Sequence, residues 1–216
     1  MVHNLSNRNS IFNQFLAEIR NSEIQKDSMR FRRNLERIGE IFAYEISKEL
    51  EYQTTETTTP LGVAETLMLT EQPVIATILR AGLPMHQGFL NYFDQAPSAF
   101  ISAHRKHHKN NTFEIMLEYL AGPELDGKTL ILCDPMLASG ASLTMTYKAL
   151  LAHGTPKHTH IVTAIASTEG ISHLKANMPN NNFSLWCGAI DEELTAQAYI
   201  VPGLGDAGDL AYGEKI

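Results

Sequence analysis

From Pro73 onward the sequence alternates short apolar runs with amphipathic stretches, and this alternation narrows the range of possible folds. Strands are predicted at 74–79, 99–103, 128–133, 160–166 and 183–187, and helices at 83–93, 142–153 and 169–176. Strands and helices alternating at this interval indicate βαβ units. The sequence therefore predicts an α/β fold with a mainly parallel central sheet flanked by helices. Its crossovers should be right-handed, and its ligands should bind beyond the carboxyl ends of the strands.

The first fifty residues are predicted to be helical. Apolar residues recur there at spacings of three and four, which indicates one buried stripe on a helix. The stripe contains Phe31, Leu35, Ile38, Phe42, Ile46 and Leu50, and a shorter one before it contains Phe12, Phe15, Leu16 and Ile19. Such a stripe packs against the core or against another subunit. Because the chain has neither an internal repeat nor a low-complexity linker, residues 1–216 are predicted to form a single domain.

Composition narrows the class of protein. Hydrophobic residues make up 44% of the chain and charged residues 19%, as in ordinary soluble globular proteins. The apolar runs are far too short to span a membrane, and the N-terminus lacks the apolar segment of a signal peptide. Two cysteines cannot form a disulfide framework, so a reducing, cytoplasmic location is predicted. The net charge of −7 argues against a general nucleic-acid binder.

A local basic patch runs from His104 to Lys109. On its own it is interpreted more readily as a solvated loop between two strands than as a binding site. Its three histidines also suggest a metal site, but no cysteine or carboxylate joins them at ligand spacing. The metal interpretation is therefore set aside.

The segment after the strand at 128–133 carries the clearest chemical signal. The strand ends at Asp134, and a loop of small residues then opens a helix, whose unpaired N–H groups attract a phosphate. Ser139 and Ser142 can add hydroxyl donors, and Gly140 lets the backbone approach the anion. Asp134 can meet ribose hydroxyls or a magnesium-bound water. The alternative is a simple turn with a serine cap, and the segment is not a Walker loop because it lacks Gly-Lys-Ser/Thr.

Two further loops are candidate ligand-binding segments. Arg80 directly follows the apolar strand at 74–79, which suits contact with a pyrophosphate but equally suits a surface ion pair. The tail at 199–209 contains three glycines and a proline, a composition that usually marks an exposed, mobile segment. Yet apolar residues precede it, and a glycine-rich backbone could read the edge of a small planar heterocycle with its own N–H and C=O groups.

Taken together, the segments 78–83, 134–142 and 199–209 resemble the uracil phosphoribosyltransferase family. Asp-Pro-Met-Leu-Ala-Ser-Gly-Ala-Ser at 134–142 is similar to that family's phosphoribosyl-pyrophosphate loop. Pro-Gly-Leu-Gly-Asp-Ala-Gly-Asp at 202–209 is similar to its uracil-binding segment. The resemblance runs from about residue 59 to the C-terminus and more loosely through the N-terminal helices. It implies a type I phosphoribosyltransferase fold with a C-terminal base-binding hood, and synthesis of UMP and diphosphate from uracil and 5-phospho-α-D-ribose 1-diphosphate (PRPP).

The resemblance also implies a role for each matching residue. The PRPP-binding residues would be Arg80, Arg105, Asp134, Pro135, Met136, Leu137, Ala138, Ser139, Gly140, Ala141, Ser142 and Asp206. The uracil-binding residues would be Ile200, Gly205, Asp206 and Ala207. Asp134, Arg105 and Asp206 would be the catalytic residues among them. Magnesium would arrive bound to PRPP, so no metal ligand from the protein is implied.

One departure from the family loop concerns the backbone. The family usually has Ala-Thr-Gly-Gly-Ser, whereas this chain has Ala-Ser-Gly-Ala-Ser at 138–142. Ser139 keeps the hydroxyl. Ala141 requires a negative φ, since a positive φ favours glycine by about 1 kcal/mol.

Two alternatives remain open at this point. One is an RNA-binding regulator of pyrimidine genes on the same fold, against which the acidic net charge argues. The other is an enzyme for a purine base, which would resemble this family but normally has two adjacent acidic residues before the phosphate loop; here Cys133 precedes Asp134. The long apolar stripe favours a homo-oligomer, and some relatives are activated by GTP.

Overall fold

A computed structural model describes residues 1–107, 113–179 and 182–215, and of residues 103–107 and 113–117 it describes the backbone only. The helices are α1 (Phe12–Arg20), α2 (Ser28–Ser47), α3 (Leu83–Leu90), α4 (Ala141–Leu150), α5 (Thr168–Asn177) and α6 (Ala207–Tyr212). Short 3₁₀ turns lie at Leu5–Asn7, Ile24–Lys26 and Leu151–His153. The strands are β1 (Val2–Asn4), β2 (Tyr52–Thr59), β3 (Gly62–Leu69), β4 (Val74–Leu79), β5 (Ser98–His107), β6 (Phe113–Ala121), β7 (Thr129–Cys133), β8 (Met136–Leu137), β9 (His158–Ser167), β10 (Phe183–Asp191), β11 (Glu193–Leu194) and β12 (Ile200–Val201).

The central sheet confirms the predicted α/β architecture. Its strand order is β1-β10-β9-β7-β4-β5-β6, with β8 paired to β9. β5 and β6 pair antiparallel, and the other pairings in this sheet are parallel. Buried apolar residues form two clusters: one contains the stripes of α1 and α2 together with α3 and α6, and the other contains α4 and α5. Among the described helices, none combines the length and the hydrophobicity that a membrane span needs.

Helix α2 buries its apolar stripe inside the chain itself. Asp27 caps its first turn by accepting from the N–H groups of Met29 and Arg30, both at 3.1 Å. The side chains of the stripe from Phe31 to Ile46 are at most 1% exposed. The stripe therefore packs on the chain's own core and no longer argues for a second subunit.

β1 and the hairpin of β2 and β3 are among the elements that the sequence patterns did not predict. β1 adds to the edge of the sheet beside β10. β2 and β3 form a separate antiparallel hairpin, whose first strand is exposed along its whole length and whose tip residue Leu61 is fully exposed. Threonines fill β2, so this strand lacks the apolar alternation by which a half-buried strand is recognised.

The basic patch at 104–109 lies partly in a strand, whereas the sequence was interpreted as a loop there. His104, Arg105, Lys106 and His107 belong to β5, where Arg105 pairs with Ile115 of β6. The loop interpretation was wrong for these four residues because a polar strand on an antiparallel arm carries no apolar signal. His108 and Lys109 lie outside the described residues.

Candidate active site

The three chemically interesting loops converge on one cavity of about 970 Å³. β4 and β7 are parallel neighbours in the sheet, with Thr77 opposite Cys133, so the loops that follow them start side by side. The C-terminal tail lies across the same opening. The cavity thus sits beyond the carboxyl ends of the strands, as the sequence predicts for a parallel sheet.

The loop at 134–142 is held by the neighbouring strand β9. The Asp134 N–H donates to the Val162 carbonyl, and the Pro135 carbonyl accepts from the Ile165 N–H, both at 3.0 Å. Asp134 is half-buried, and its Oδ1 accepts from the Met136 N–H at 3.4 Å. Its carboxylate is thereby fixed at the end of β7, where it lines the cavity.

Helix α4 begins at this loop with its N-terminal N–H groups unsatisfied. Gly140 has a φ of +79°, and no side chain in the described residues caps the helix. The N–H groups of Ala141, Ser142 and Leu143 find no acceptor within the described residues. An anion in the cavity would satisfy such donors and benefit from the helix dipole. The requirement on Ala141 is met, because the left-handed residue is Gly140 and Ala141 begins the helix.

Most residues of the predicted donor loop face the cavity. Those that line it are Asp134, Met136, Leu137, Ala138, Ser139, Gly140 and Ser142. Pro135 and Ala141 do not line it. Pro135 instead carries the carbonyl that joins the loop to β9.

Arg80 joins the loop after β4 to the C-terminal tail. Its Nη2 donates to Asp209 Oδ1 at 2.9 Å and to the Gly213 carbonyl at 3.1 Å. Its Nε is buried and has no hydrogen-bond partner within the described residues. Arg80 also lines the cavity. Both of its predicted uses, an ion pair and contact with an anionic ligand, are compatible with this position.

The tail is a folded lid over the cavity. Ile200 is 4% exposed and lies in β12, which pairs with β11. Asp206 caps α6, since its Oδ1 accepts from the N–H groups of Gly208 at 2.8 Å and Asp209 at 3.0 Å. Gly205 has a φ of +94°, which an L-residue adopts only with strain. Ile200, Gly205, Asp206 and Ala207 all line the cavity.

An ion pair from outside the site anchors this lid. The Arg20 guanidinium holds the Asp191 carboxylate in a fork, with both N–O distances 2.8 Å. Asp191 accepts from the Gly203 N–H at 2.9 Å, and Arg20 donates to the Gly203 carbonyl at 3.0 Å. Asp191 is 7% exposed. The composition of the tail suggests mobility, but this anchor fixes its turn.

Sequence reasoning missed several residues of the cavity wall. Ser102, Gln197, Ala198, Glu214 and Lys215 also line it. No motif marks them: Gln197 and Ala198 directly precede the tail, Glu214 and Lys215 follow α6, and Ser102 is brought to the cavity by β5. Arg105 lies on β5, but its side chain is outside the described residues.

At the end of β7, Asp134 carries the negative charge and the neighbouring Cys133 does not. Burial raises the pKa of the Cys133 thiol to about 12, so this residue is neutral beside Asp134. Within the described residues, no group of three or more histidine, cysteine or acidic side chains could hold a metal ion.

Comparison with solved structures defines the class to which this fold belongs. An orotate phosphoribosyltransferase from Mycobacterium tuberculosis matches with a TM-score of 0.51 at 9% identity, covering 85% of this chain and 90% of that one. The AQ2163 protein from Aquifex aeolicus matches far more closely, with a TM-score of 0.87 at 29% identity over 99% of this chain and 98% of that one. The fold is that of the type I phosphoribosyltransferases.

Sequence comparison then gives the family. Residues 6–214 match the family model described as uracil phosphoribosyltransferase. A protein from Porphyromonas gingivalis named uracil phosphoribosyltransferase is 52% identical over 215 residues, covering 100% of this chain and 99% of the relative. The chain belongs to the uracil phosphoribosyltransferase family, which confirms the resemblance drawn from its motifs.

Proposed function

We propose that the protein transfers a phosphoribosyl group from PRPP to uracil, giving UMP and diphosphate in pyrimidine salvage. One observation carries the proposal: in a member of this family, the 134–142 loop and the 199–209 tail face each other across one cavity. One wall offers unsatisfied N–H donors to a phosphate, and the other offers a fixed glycine-rich backbone to a small base.

The donor would occupy the wall formed by the 134–142 loop. The N–H groups at the start of α4, with the hydroxyls of Ser139 and Ser142, suit the 5′-phosphate. Asp134 would meet the ribose hydroxyls, and Arg80 and Arg105 would meet the pyrophosphate. Arg80 supports this role by its position, because its buried Nε keeps a donor unused.

Uracil would occupy the wall formed by the tail. The backbone around Ile200, Gly205 and Ala207 would pair with the ring edge, and Asp206 would hold that backbone through its two cap bonds while facing the donor. The Arg20–Asp191 anchor supports this role, since a backbone can recognise a base only if it is held in place.

The reaction would form a bond between uracil N1 and the anomeric carbon while the bond from that carbon to the pyrophosphate oxygen breaks. The N1 proton leaves to solvent, and neighbouring positive charge favours the uracil anion, so no strong general base is required. Arg80, Arg105 and the loop N–H groups would stabilise the charge on the departing pyrophosphate. The tail would hold N1 in line with the anomeric carbon.

The residues of the cavity fit a magnesium ion carried by PRPP. Asp134 supplies an oxygen ligand type that magnesium prefers, and it lies at the cavity wall where a metal-bound water could reach it. Bound magnesium would neutralise pyrophosphate charge.

We also propose a homo-oligomer, now on different grounds from the apolar stripe. An isolated two-stranded hairpin is marginally stable in water, yet β2 and β3 extend without a covering layer in the described structure. Val63 and Leu67 on one face of this hairpin are 64% and 70% exposed. A second copy of the chain would cover them. Activation by GTP and a cytoplasmic location remain expectations from the family resemblance and from the cysteine content.

One assay tests the enzyme proposal. The purified protein is incubated with labelled uracil, magnesium and PRPP, and UMP is measured, with omission of each component as the control. We expect UMP formation that requires all three. A folded protein that makes no UMP but binds RNA at physiological salt would replace the enzyme proposal with the regulator alternative.

A further inference from the structure

Ser167 lies behind the donor loop, at the junction of β9 and α5. Its hydroxyl donates to the Ala138 carbonyl at 2.6 Å and accepts from the Gly170 N–H at 2.8 Å. Ser167 is fully buried and does not line the cavity. A single side chain therefore caps α5 and holds one peptide of the loop.

The contact with Ala138 fixes the direction of the next N–H group. The Ala138 carbonyl and the Ser139 N–H belong to one peptide unit, which is trans. In a trans peptide the C=O and N–H bonds point in opposite directions. Because the carbonyl points at Ser167, the Ser139 N–H points away from α5, toward the cavity that Ser139 lines. No acceptor within the described residues takes this N–H.

The backbone of α5 presses on the same peptide. A Cβ at Gly170 would collide with the Ala138 carbonyl oxygen, so only glycine allows the loop to lie this close. A Cβ at Gly140 would in turn approach the Gly170 carbonyl to 2.9 Å. The two segments touch backbone to backbone, and the loop has little room to rotate its peptide.

We infer that Ser167 is a positioning residue, which turns the Ala138–Ser139 peptide so that its N–H faces the donor phosphate. The inference rests on the proposed function. A rotated peptide would present the Ala138 carbonyl to the phosphate, which replaces an attractive donor with a repulsive acceptor. A preorganised N–H costs no rearrangement when the anion binds.

The test compares Ser167→Ala with Ser167→Thr, which keeps the hydroxyl. Ser172→Ala is the matched control, because that exposed hydroxyl bonds within α5 to the Thr168 carbonyl and makes no hydrogen bond to the loop. We measure the KM values for PRPP and for uracil, the Kd of ribose 5-phosphate by calorimetry, and the Tm. In Ser167→Ala, the KM for PRPP and the Kd of ribose 5-phosphate should rise by about tenfold or more, since the Ser139 N–H, no longer held in direction, would lose its hydrogen bond to the charged phosphate.

The KM for uracil should change by less than about twofold, because hydrogen bonds at the other wall remain intact. Ser167→Thr and Ser172→Ala should behave as wild type. Gly170→Ala gives an independent check: it favours the helix by propensity but displaces the Ala138 carbonyl, so it should also weaken donor binding. If Ser167→Ala fails to fold, the donor binding of Gly170→Ala alone decides whether the inference holds.

Equal rises in both KM values, or a lower Tm with an unchanged KM for PRPP, would reduce Ser167 to a helix cap and overturn the inference. A wild-type protein that forms no UMP would instead overturn the proposed function. The two failures are therefore distinguishable.

Discussion

The guanidinium of Arg80 lies 2.9 Å from the carboxylate of Asp209, and this pair joins the loop after β4 to the helix at the end of the tail. Both side chains are about one-third exposed, 35% and 34%. A pair exposed to this extent adds about 0–1 kcal/mol to stability. Both hydrogen bonds to the tail use Nη2, so the pair holds the guanidinium at the cavity wall without using its other nitrogens.

Replacement of Arg80 should weaken the binding of PRPP. We expect Arg80→Ala to raise the KM for PRPP by about tenfold to a hundredfold, since it removes charged hydrogen bonds. Arg80→Lys should bring the KM for PRPP only part of the way back to the wild-type value, because an ammonium cannot pair bidentately. Steady-state kinetics with PRPP as the varied substrate measure the effect. If Asp209→Asn lowers kcat/KM as strongly in the Arg80→Ala background as in wild type, the two residues do not act together.

Replacement of Asp134 should affect kcat/KM for PRPP much more than uracil binding. Asp134→Asn keeps the size of the side chain and the acceptor for the Met136 N–H, so the fold and the Tm should be preserved. We expect kcat/KM for PRPP to fall by about tenfold or more while uracil binding changes little, because only the donor side loses a carboxylate. Asp94→Asn, in the turn after α3, serves as the control. Equal losses for both substrates would remove Asp134 from the donor wall.

Selection of uracil over cytosine should depend on the backbone of the tail. Ala207 is the first residue of α6, a position at which proline is compatible with a helix, and Asp206 before it is already extended with φ −88° and ψ 106°. Ala207→Pro should therefore fold, yet it removes an N–H that would read the base. We expect it to lower kcat/KM for uracil by about tenfold or more and to reduce the preference over cytosine.

Ile200→Val keeps the backbone of β12 and is the matched variant for this experiment. It should preserve the preference for uracil. The measurement is kcat/KM for both bases in wild type and the two variants. Unchanged selectivity in Ala207→Pro, or substantial cytosine turnover by wild type, would show that another group reads the base.

The anchor of the lid should control the base site from a distance. Arg20→Leu leaves the Asp191 carboxylate buried without its counter-ion, a loss of about 3–5 kcal/mol in buried pairs. We expect a lower Tm and a KM for uracil that rises more than the KM for PRPP, because the Gly203 carbonyl loses its bond to Arg20 and Asp191, which accepts from the Gly203 N–H, loses its counter-ion. Arg30→Leu removes the partner of Glu18 in a pair where Arg30 is 51% exposed, and it should change neither constant. A parallel rise in both KM values would mean general destabilisation.

A buried histidine should make the protein sensitive to acid. Burial, with smaller contributions from His158 and His3, lowers the pKa of His160 to about 3. Its Nδ1 accepts from Trp186 Nε1 at 3.1 Å, which requires the neutral ring. The unfolded chain, with a histidine pKa near 6.5, binds more protons than the folded one between these values. The contribution of neutral His160 to the free energy of unfolding is therefore complete above about pH 6.5, and it is lost as the pH falls toward 3.

We expect the Tm to fall over this pH range, and His160→Gln to flatten that dependence. His153→Gln, on the turn after α4, is the control. Thermal unfolding followed by circular dichroism between pH 4 and pH 7.5 gives the comparison. An unaltered slope in His160→Gln would assign the acid sensitivity to other groups.

The elements that bury apolar surface were predictable from the sequence, and those that do not were missed. β4 has its predicted bounds, because Val74–Leu79 is apolar except for Thr77 and a proline precedes it. The hairpin at β2 and β3 and the polar half of β5 carry no such pattern. At the site, the motifs identified both walls of the cavity. They gave no sign of Ser167 or of the Arg20–Asp191 anchor, since these residues meet the site only through distant pairings in the fold.

The exposed hairpin also affects how a newly made chain behaves while it folds. Among the described residues, β2 and β3 pair only with each other, so their outer edges can pair with other unfinished chains. Glu56 and Glu65 stand directly opposite each other across the hairpin, an arrangement that weakens the pair of strands. The same charges repel a third strand that approaches the edge. The chain therefore gives up some hairpin stability in exchange for resistance to precipitation, and neutralising both glutamates should promote aggregation during expression.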